Sequence, residues 1–250
     1  ICTDPDAPVT DRDATGADHR STAFLHPSIP VLQAAGLWDR LAPHAAPLQI
    51  MRIVDAGGPV AEPRIVKDFD AAEISDQPFG WNLPNWLLRR EMLARLADLP
   101  NVSFRPGIAT TQLLTREAEA LVTLSDGSRI RARLVIAADG RTSTMREALD
   151  IPVRTLRYGQ KALAFAVTHP IPHRNVSTEI HRSGGPFTLV PLPDRDGLVQ
   201  TEGGTRAKLG FVVVTHSPPP NAFRRCSGQP LLHLPPLHLP FHLWFAGHKI

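Results

Sequence analysis

Leu134-Val135-Ile136-Ala137-Ala138 is an almost purely apolar run that stops at Asp139-Gly140. Such a run predicts a strand buried on both faces, because a strand with one wet face alternates apolar and polar residues. Ser143 to Leu149 reads as a short helix with Ser143 as its cap. In an open α/β sheet, ligands bind beyond the carboxyl ends of the strands. Asp139 would stand at such an end, where a carboxylate can accept hydrogen bonds from sugar or ribityl hydroxyls. Gly140 would let the backbone approach a bound group with no Cβ in the way. Arg146 is placed to reach a phosphate or a structural carboxylate. Taken alone, a strand ending in Asp-Gly is usually only a turn.

Other elements can be read around this unit. Residues 1–18 are rich in Asp, Pro, Thr and Gly and read as loop. Ser28 to Leu41 carries Ile29, Leu32, Leu37 and Leu41 at roughly helical spacing, with Gly36 as a break. Leu48 to Val54 alternates and leads into Asp55-Ala56-Gly57-Gly58, so it predicts a strand and a turn, with Arg64 to Asp70 returning. Asn85 to Ala97 is the clearest helix: Asn85 is a good N-cap and Pro100 stops it. Gln112–Leu114, Ala118–Leu124 and Ser128–Leu134 predict a meander, with Ser125-Asp126-Gly127 as a tight turn. Ala162–Thr168, Val176–His181 and Phe187–Pro191 predict a second, sheet-rich region.

Composition removes several function classes. The net charge of +3 over 250 residues, without a basic block, argues against a nucleic-acid partner. Cys2 and Cys226 are too few and too far apart for a disulfide framework or a zinc site. His233, His238 and His242 are interrupted by prolines with no acid or Cys nearby, so metal binding is not expected. No stretch is long and apolar enough to span a bilayer, and residues 1–8 lack the basic flank and apolar run of a signal peptide. A cytoplasmic protein is expected. G-x-G-x-x-G, G-x-S-x-G and P-loop motifs are absent from the 250 residues. Trp38, Trp81 and Trp86 read as packing residues rather than a stacking platform.

Beyond Glu202 the character changes. No Asp or Glu occurs from Gly203 onward, five of the eleven histidines fall between His216 and His248, and prolines cluster at 218–220, 235–236 and 240. The expectation for 203–250 is an aberrant Pro/His-rich tail, disordered or frameshifted. Two arginines also stand out. Arg20, in Asp18-His19-Arg20-Ser21-Thr22-Ala23-Phe24, can hold a carboxylate or a ring edge through its planar fork. Arg89 lies on the Asn85 helix and can face a cofactor or solvent. A solvated surface residue is the plainer reading of each.

Together these segments resemble the ubiquinone-biosynthesis hydroxylases, a branch of the flavoprotein monooxygenases with the p-hydroxybenzoate hydroxylase fold. The resemblance runs from about Asp18 to about Glu202. It is carried by Arg20-Ser21-Thr22-Ala23-Phe24 with Gly36-Leu37-Trp38, by Pro47 to Asp55, and by Gly80-Trp81-Asn82-Leu83-Pro84-Asn85. It continues through Ala138-Asp139-Gly140 to Arg146, then Tyr158-Gly159-Gln160, His173, Glu179, Gly185-Pro186 and Pro191-Leu192. Each motif is weak alone; their order and spacing are specific. His181 departs from the pattern, where an aromatic residue is usual.

The resemblance implies a mixed α/β fold, a partial p-hydroxybenzoate hydroxylase-type FAD-binding fold with a sheet-rich substrate domain. Residues 1–157 would be a partial FAD-binding domain, 158–202 the start of the substrate domain, and 203–250 the tail. It implies FAD as cofactor and NADH or NADPH as electron donor. It also implies a phenolic quinone precursor as substrate, and contact with the inner membrane or a ubiquinone-synthesis complex at most peripherally. Arg20, Arg89, Asp139 and Gly140 would bind the cofactor. No side chain is assigned as catalytic, because the flavin carries the chemistry. The family's glycine-rich loop, which holds the FAD pyrophosphate at a helix N-terminus, and its later Gly-Asp motif have no match here. With Ile1 in the first position, the expectation is an incomplete and inactive copy. The alternative is a non-enzymatic remnant acting as a binding or interaction module.

Overall fold

Gly36 sets the first bend in the computed structural model, which describes residues 1–57, 62–156, 160–169, 172–182, 185–193 and 207–216. Helix α1 (Ile29–Ala34) ends as Gly36 takes φ +68°. The Leu37 amide then donates to Leu32 O at 2.8 Å and the Gly36 amide to Gln33 O at 2.9 Å. This is a Schellman closure, which needs a left-handed residue at that point. Helix α2 (Trp38–Leu41) restarts beyond it, as the break at Gly36 predicted. Ile29, Leu32, Leu37 and Leu41 bury together with Leu83, Leu87 and Leu88, and Trp38, Trp81 and Trp86 pack around them. The tryptophans are thus packing residues, as their sequence context suggested.

Three short strands cover this core in a sheet of order β2-β6-β3: β2 (Ser21–Leu25), β3 (Ala46–Leu48) and β6 (Gly80–Pro84). All neighbours are antiparallel. β6 is central and can be nothing but glycine at its start, since a Cβ on Gly80 would lie 2.4 Å from Phe24 O. β6 runs straight into helix α3 (Asn85–Ala97), whose limits are those predicted. Its N-cap is Pro84, however, and Asn85 makes no side-chain cap bond. The Asn85 side chain is occupied elsewhere, as described below, so the capping expectation is corrected.

The largest sheet has six strands in the order β11-β14-β13-β12-β4-β5. These are β4 (Ile50–Asp55), β5 (Ile65–Asp70), β11 (Gln160–His169), β12 (Val176–Arg182), β13 (Gly185–Leu192) and β14 (Ala207–His216). β4 joins β12 in parallel, with Ile50 opposite Val176 and Asp55 opposite His181; the other pairs are antiparallel. Strands from both sides of residue 157 therefore share one sheet. β14 lies within the segment read as the tail. Ala207–His216 contains Phe211-Val212-Val213-Val214 and no proline, and β-branched residues favour a paired, pleated strand. Residues 217–250, with His233, His238, His242 and Cys226, lie outside the described residues, as do Tyr158 and Gly159.

The meander forms as predicted. β8 (Thr110–Thr115), β9 (Ala120–Leu124) and β10 (Arg129–Ala132) make an antiparallel sheet, with Gly127 at φ +82° in the turn. Two expectations fail nearby. Cys2–Asp4 in the supposed N-terminal loop is a strand, β1, parallel to β7 (Phe104–Pro106). Conversely, Leu134 to Ala138 is not a strand, and Leu134 and Ile136 are 75% and 80% exposed. Composition made this run strand-like, but a strand exists only where a neighbour takes its amides and carbonyls. No strand among the described residues pairs with it.

Candidate functional site

Asp18 gathers the polar groups at the junction of β2 and α3. Its side chain is 9% exposed, whereas Arg20 and Arg89 are 64% and 41% exposed. One carboxylate oxygen, Oδ1, accepts from Arg20 Nε at 2.8 Å and from the Arg20 amide at 3.2 Å. The other, Oδ2, accepts from Arg20 Nη2 at 2.7 Å, Asn85 Nδ2 at 3.1 Å and Arg89 Nη2 at 3.3 Å. Asn85 Oδ1 accepts from Thr22 Oγ1 at 2.7 Å, which fixes the orientation of that amide. The backbone is tied in as well: the Asn85 amide donates to Arg20 O and the Trp86 amide to Asp18 O.

The fork from Arg20 is the geometry in which guanidinium and carboxylate bind most strongly. Hydrogen bonds from the Arg20 side chain hold the Asp18 carboxyl well below the usual carboxylate range; partial burial opposes them and Asn85 assists. The Arg20 guanidinium is in turn pushed up by Asp18. Two cations around one ionised carboxylate leave an excess positive charge. A guanidinium has five N–H donors, and those of Arg20 and Arg89 not used on Asp18 take no other acceptor among the described residues. The pair therefore fits a polyanion such as a diphosphate.

Sequence reasoning singled out Arg20 and Arg89, and the structure brings them together. It passed over Asp18 and gave Asn85 a different task. The legible signal was Asp-x-Arg at 18 and 20, a spacing that lets a carboxylate fold back on the arginine after it.

Asp139 and Gly140 form a separate, locally closed motif. Asp139 Oδ2 accepts from the Met145 amide at 3.1 Å and Thr144 Oγ1 at 3.4 Å. Ser143 Oγ accepts from the Arg146 amide at 3.0 Å and so caps α4 (Thr144–Ala148), as predicted. Arg146 Nη2 donates to Arg141 O at 3.0 Å, and no carboxylate among the described residues takes it. Donors on Ser143 and then the Met145 amide hold the exposed Asp139 carboxyl below the usual range. Gly140 takes φ +84°, and a Cβ there would meet nothing within 4 Å. Its glycine is required by backbone conformation, and the space above it is open to a ligand. No hydrogen bond or ion pair among the described residues joins this motif to Arg20 or Arg89.

A profile of the family described as FAD binding domain matches residues 9–207. The ubiquinone hydroxylase UbiL of Rhodospirillum rubrum is 38% identical over 190 residues, covering 76% of this chain and 43% of the relative. The chain thus spans less than half the length of that curated relative. Among solved structures, Pseudomonas aeruginosa PqsL in complex with 2-aminobenzoylacetate superposes with a TM-score of 0.64 at 21% identity, over 89% of this chain and 55% of PqsL. Klebsiella pneumoniae HpxO complexed with FAD and uric acid gives a TM-score of 0.60 at 21% identity, over 80% and 48%. These likenesses share the mixed helix-and-strand architecture, the p-hydroxybenzoate hydroxylase type expected from the sequence. The match across residues 9–207 establishes that this chain belongs to the FAD binding domain family.

Proposed function

We propose that this chain serves the FAD-dependent hydroxylation of a phenolic ring on a ubiquinone precursor. The observation that carries the reading is its 38% identity, over 76% of its length, with a ubiquinone hydroxylase. The geometry supports the cofactor. Arg20 and Arg89 would hold the diphosphate through N–H donors that Asp18 does not use. Asp139 retains acceptor capacity for a ribose or ribityl hydroxyl, and Gly140 leaves open backbone beside it. FAD, when bound, supplies the electron transfer and oxygen activation; the protein supplies binding, orientation and exclusion of water. A reduced nicotinamide, NADH or NADPH, is the electron donor. The substrate is a lipid-soluble quinone precursor, so delivery places the chain peripherally at the inner membrane or beside other ubiquinone-synthesis proteins. No helix among the described residues is long and apolar enough to cross a membrane.

Deleting the gene in its own organism tests the reading. Ubiquinone is expected to fall, and a precursor lacking one ring oxygen to accumulate by mass spectrometry. Unchanged ubiquinone with no such precursor would remove the assignment.

A further inference from the structure

Most polar clusters of the described residues are fully accounted for by their own strands. Arg52 forks onto Asp68 across the β4–β5 hairpin, and Arg116 and Arg131 share Glu119 on the meander. These pairs join close neighbours within a hairpin or between adjacent strands. The Asp18 cluster differs in three ways. Its carboxylate is largely shielded from solvent while its cations are not. Its two arginines, Arg20 in the loop before β2 and Arg89 on α3, are sixty-nine positions apart in the chain. The second acceptor level, Thr22 on Asn85, orients a group that itself only holds Asp18.

We propose that Asp18 is a positioning residue for the cofactor's diphosphate: it aligns the guanidiniums of Arg20 and Arg89 as one paired donor site before the anion arrives. The proposal rests on the FAD reading above and names a residue and a role beyond it. Preorganisation is the physical reason. Arg side chains have many rotamers, and ordering two of them at the moment of binding weakens the complex. A shielded carboxylate that accepts Nε and Nη2 of Arg20 fixes that guanidinium plane and turns its remaining N–H edge outward. The same oxygen that takes Arg20 Nη2 also takes Arg89 Nη2, so the two guanidiniums converge on one point. Asn85 keeps the carboxylate from rotating to satisfy only one of them.

Charge and positioning predict opposite signs, which makes the proposal testable. Asp18 is negative, so if it acted only through charge, its removal would tighten binding of an anion. If it acts by alignment, its removal loosens binding although the site becomes more positive. Asp18→Asn and Asp18→Glu are prepared in the full chain, with unliganded melting curves checking that each is folded. FAD affinity is read from flavin fluorescence. The Nε–Hε NMR signals of Arg20 and Arg89 are followed on adding FAD and, separately, inorganic pyrophosphate. In the wild type both signals should move together with either ligand. Asp18→Asn should weaken FAD binding about tenfold, the order expected when two side chains must be re-ordered on binding, and uncouple the two signals. Asp18→Glu, which keeps the carboxylate, should recover part of the loss. Equal or tighter FAD binding by Asp18→Asn overturns the positioning role and leaves the FAD reading intact. Wild-type arginine signals that respond to neither FAD nor pyrophosphate overturn both.

Discussion

At the scale of single residues, Asp18 couples the site to pH. Its folded carboxyl titrates below the unfolded value of about 3.9, chiefly because Arg20 donates to the ionised form. A depressed carboxyl contributes stability that is complete above the unfolded value and is lost as pH falls toward the folded one. Urea midpoints should therefore fall progressively as pH drops below about 5, with most of the loss below the unfolded value. Asp18→Asn should cost about 1–2 kcal/mol at neutral pH, since it removes hydrogen bonds to charged groups from a partly exposed network. The gap to the wild type should close as the solution is acidified. Parallel curves across that range would show that Asp18 does not make this contribution. Asp18 also shows why the residue scale was only half legible. Arg20 and Arg89 are visible as cations at motif positions. Their convergence depends on β2 lying beside the start of α3, with Ser21 opposite Pro84, and local sequence holds no signal for that pairing.

At the scale of elements, α1, α2, α3 and the meander follow their sequence signals because those signals are local. Gly36 supplies a left-handed residue, Pro100 stops a helix, and Ser125-Asp126-Gly127 closes a turn. Leu134–Ala138 is the opposite case. Its composition is that of a doubly buried strand, yet Leu134 and Ile136 stand in solvent. Leu134→Ser and Ile136→Ser should therefore each change stability by less than about 0.5 kcal/mol, the usual range for surface substitutions. A buried strand would lose about 2–5 kcal/mol at such positions. Denaturant titration separates the two outcomes, and rapid hydrogen exchange at Val135 to Ala138 should accompany the small one.

At the scale of the whole molecule, one buried bond links the small sheet to the large one. Asn82 on β6 is 1% exposed, and its Nδ2 donates to Pro191 O on β13 at 2.7 Å. Asn82→Ala should remove this bond at a cost of about 0.5–1.5 kcal/mol. Because the bond spans two sheets, the variant should also broaden the unfolding transition. A sharp transition at the wild-type midpoint would show that the sheets are coupled by other contacts. The six-stranded sheet itself was not foreseeable as one object. β4 and β5 read as a hairpin and β12 as part of a later region, yet β4 and β12 pair in parallel.

By itself, the sequence determined the periodic helices, the turns that need glycine, the strand-rich second half and the family to which the chain belongs. Those features depend on backbone conformation and side-chain type at neighbouring positions. Tertiary structure alone decided which strands found partners. Among the described residues it withheld one from Leu134–Ala138 and gave one to Ala207–His216, and it drew Asn85 away from the helix cap toward Asp18. Strand pairing and ion pairing across such separations are set by which groups meet in space. A run that is apolar enough for a strand remains an exposed segment until another backbone takes its hydrogen bonds.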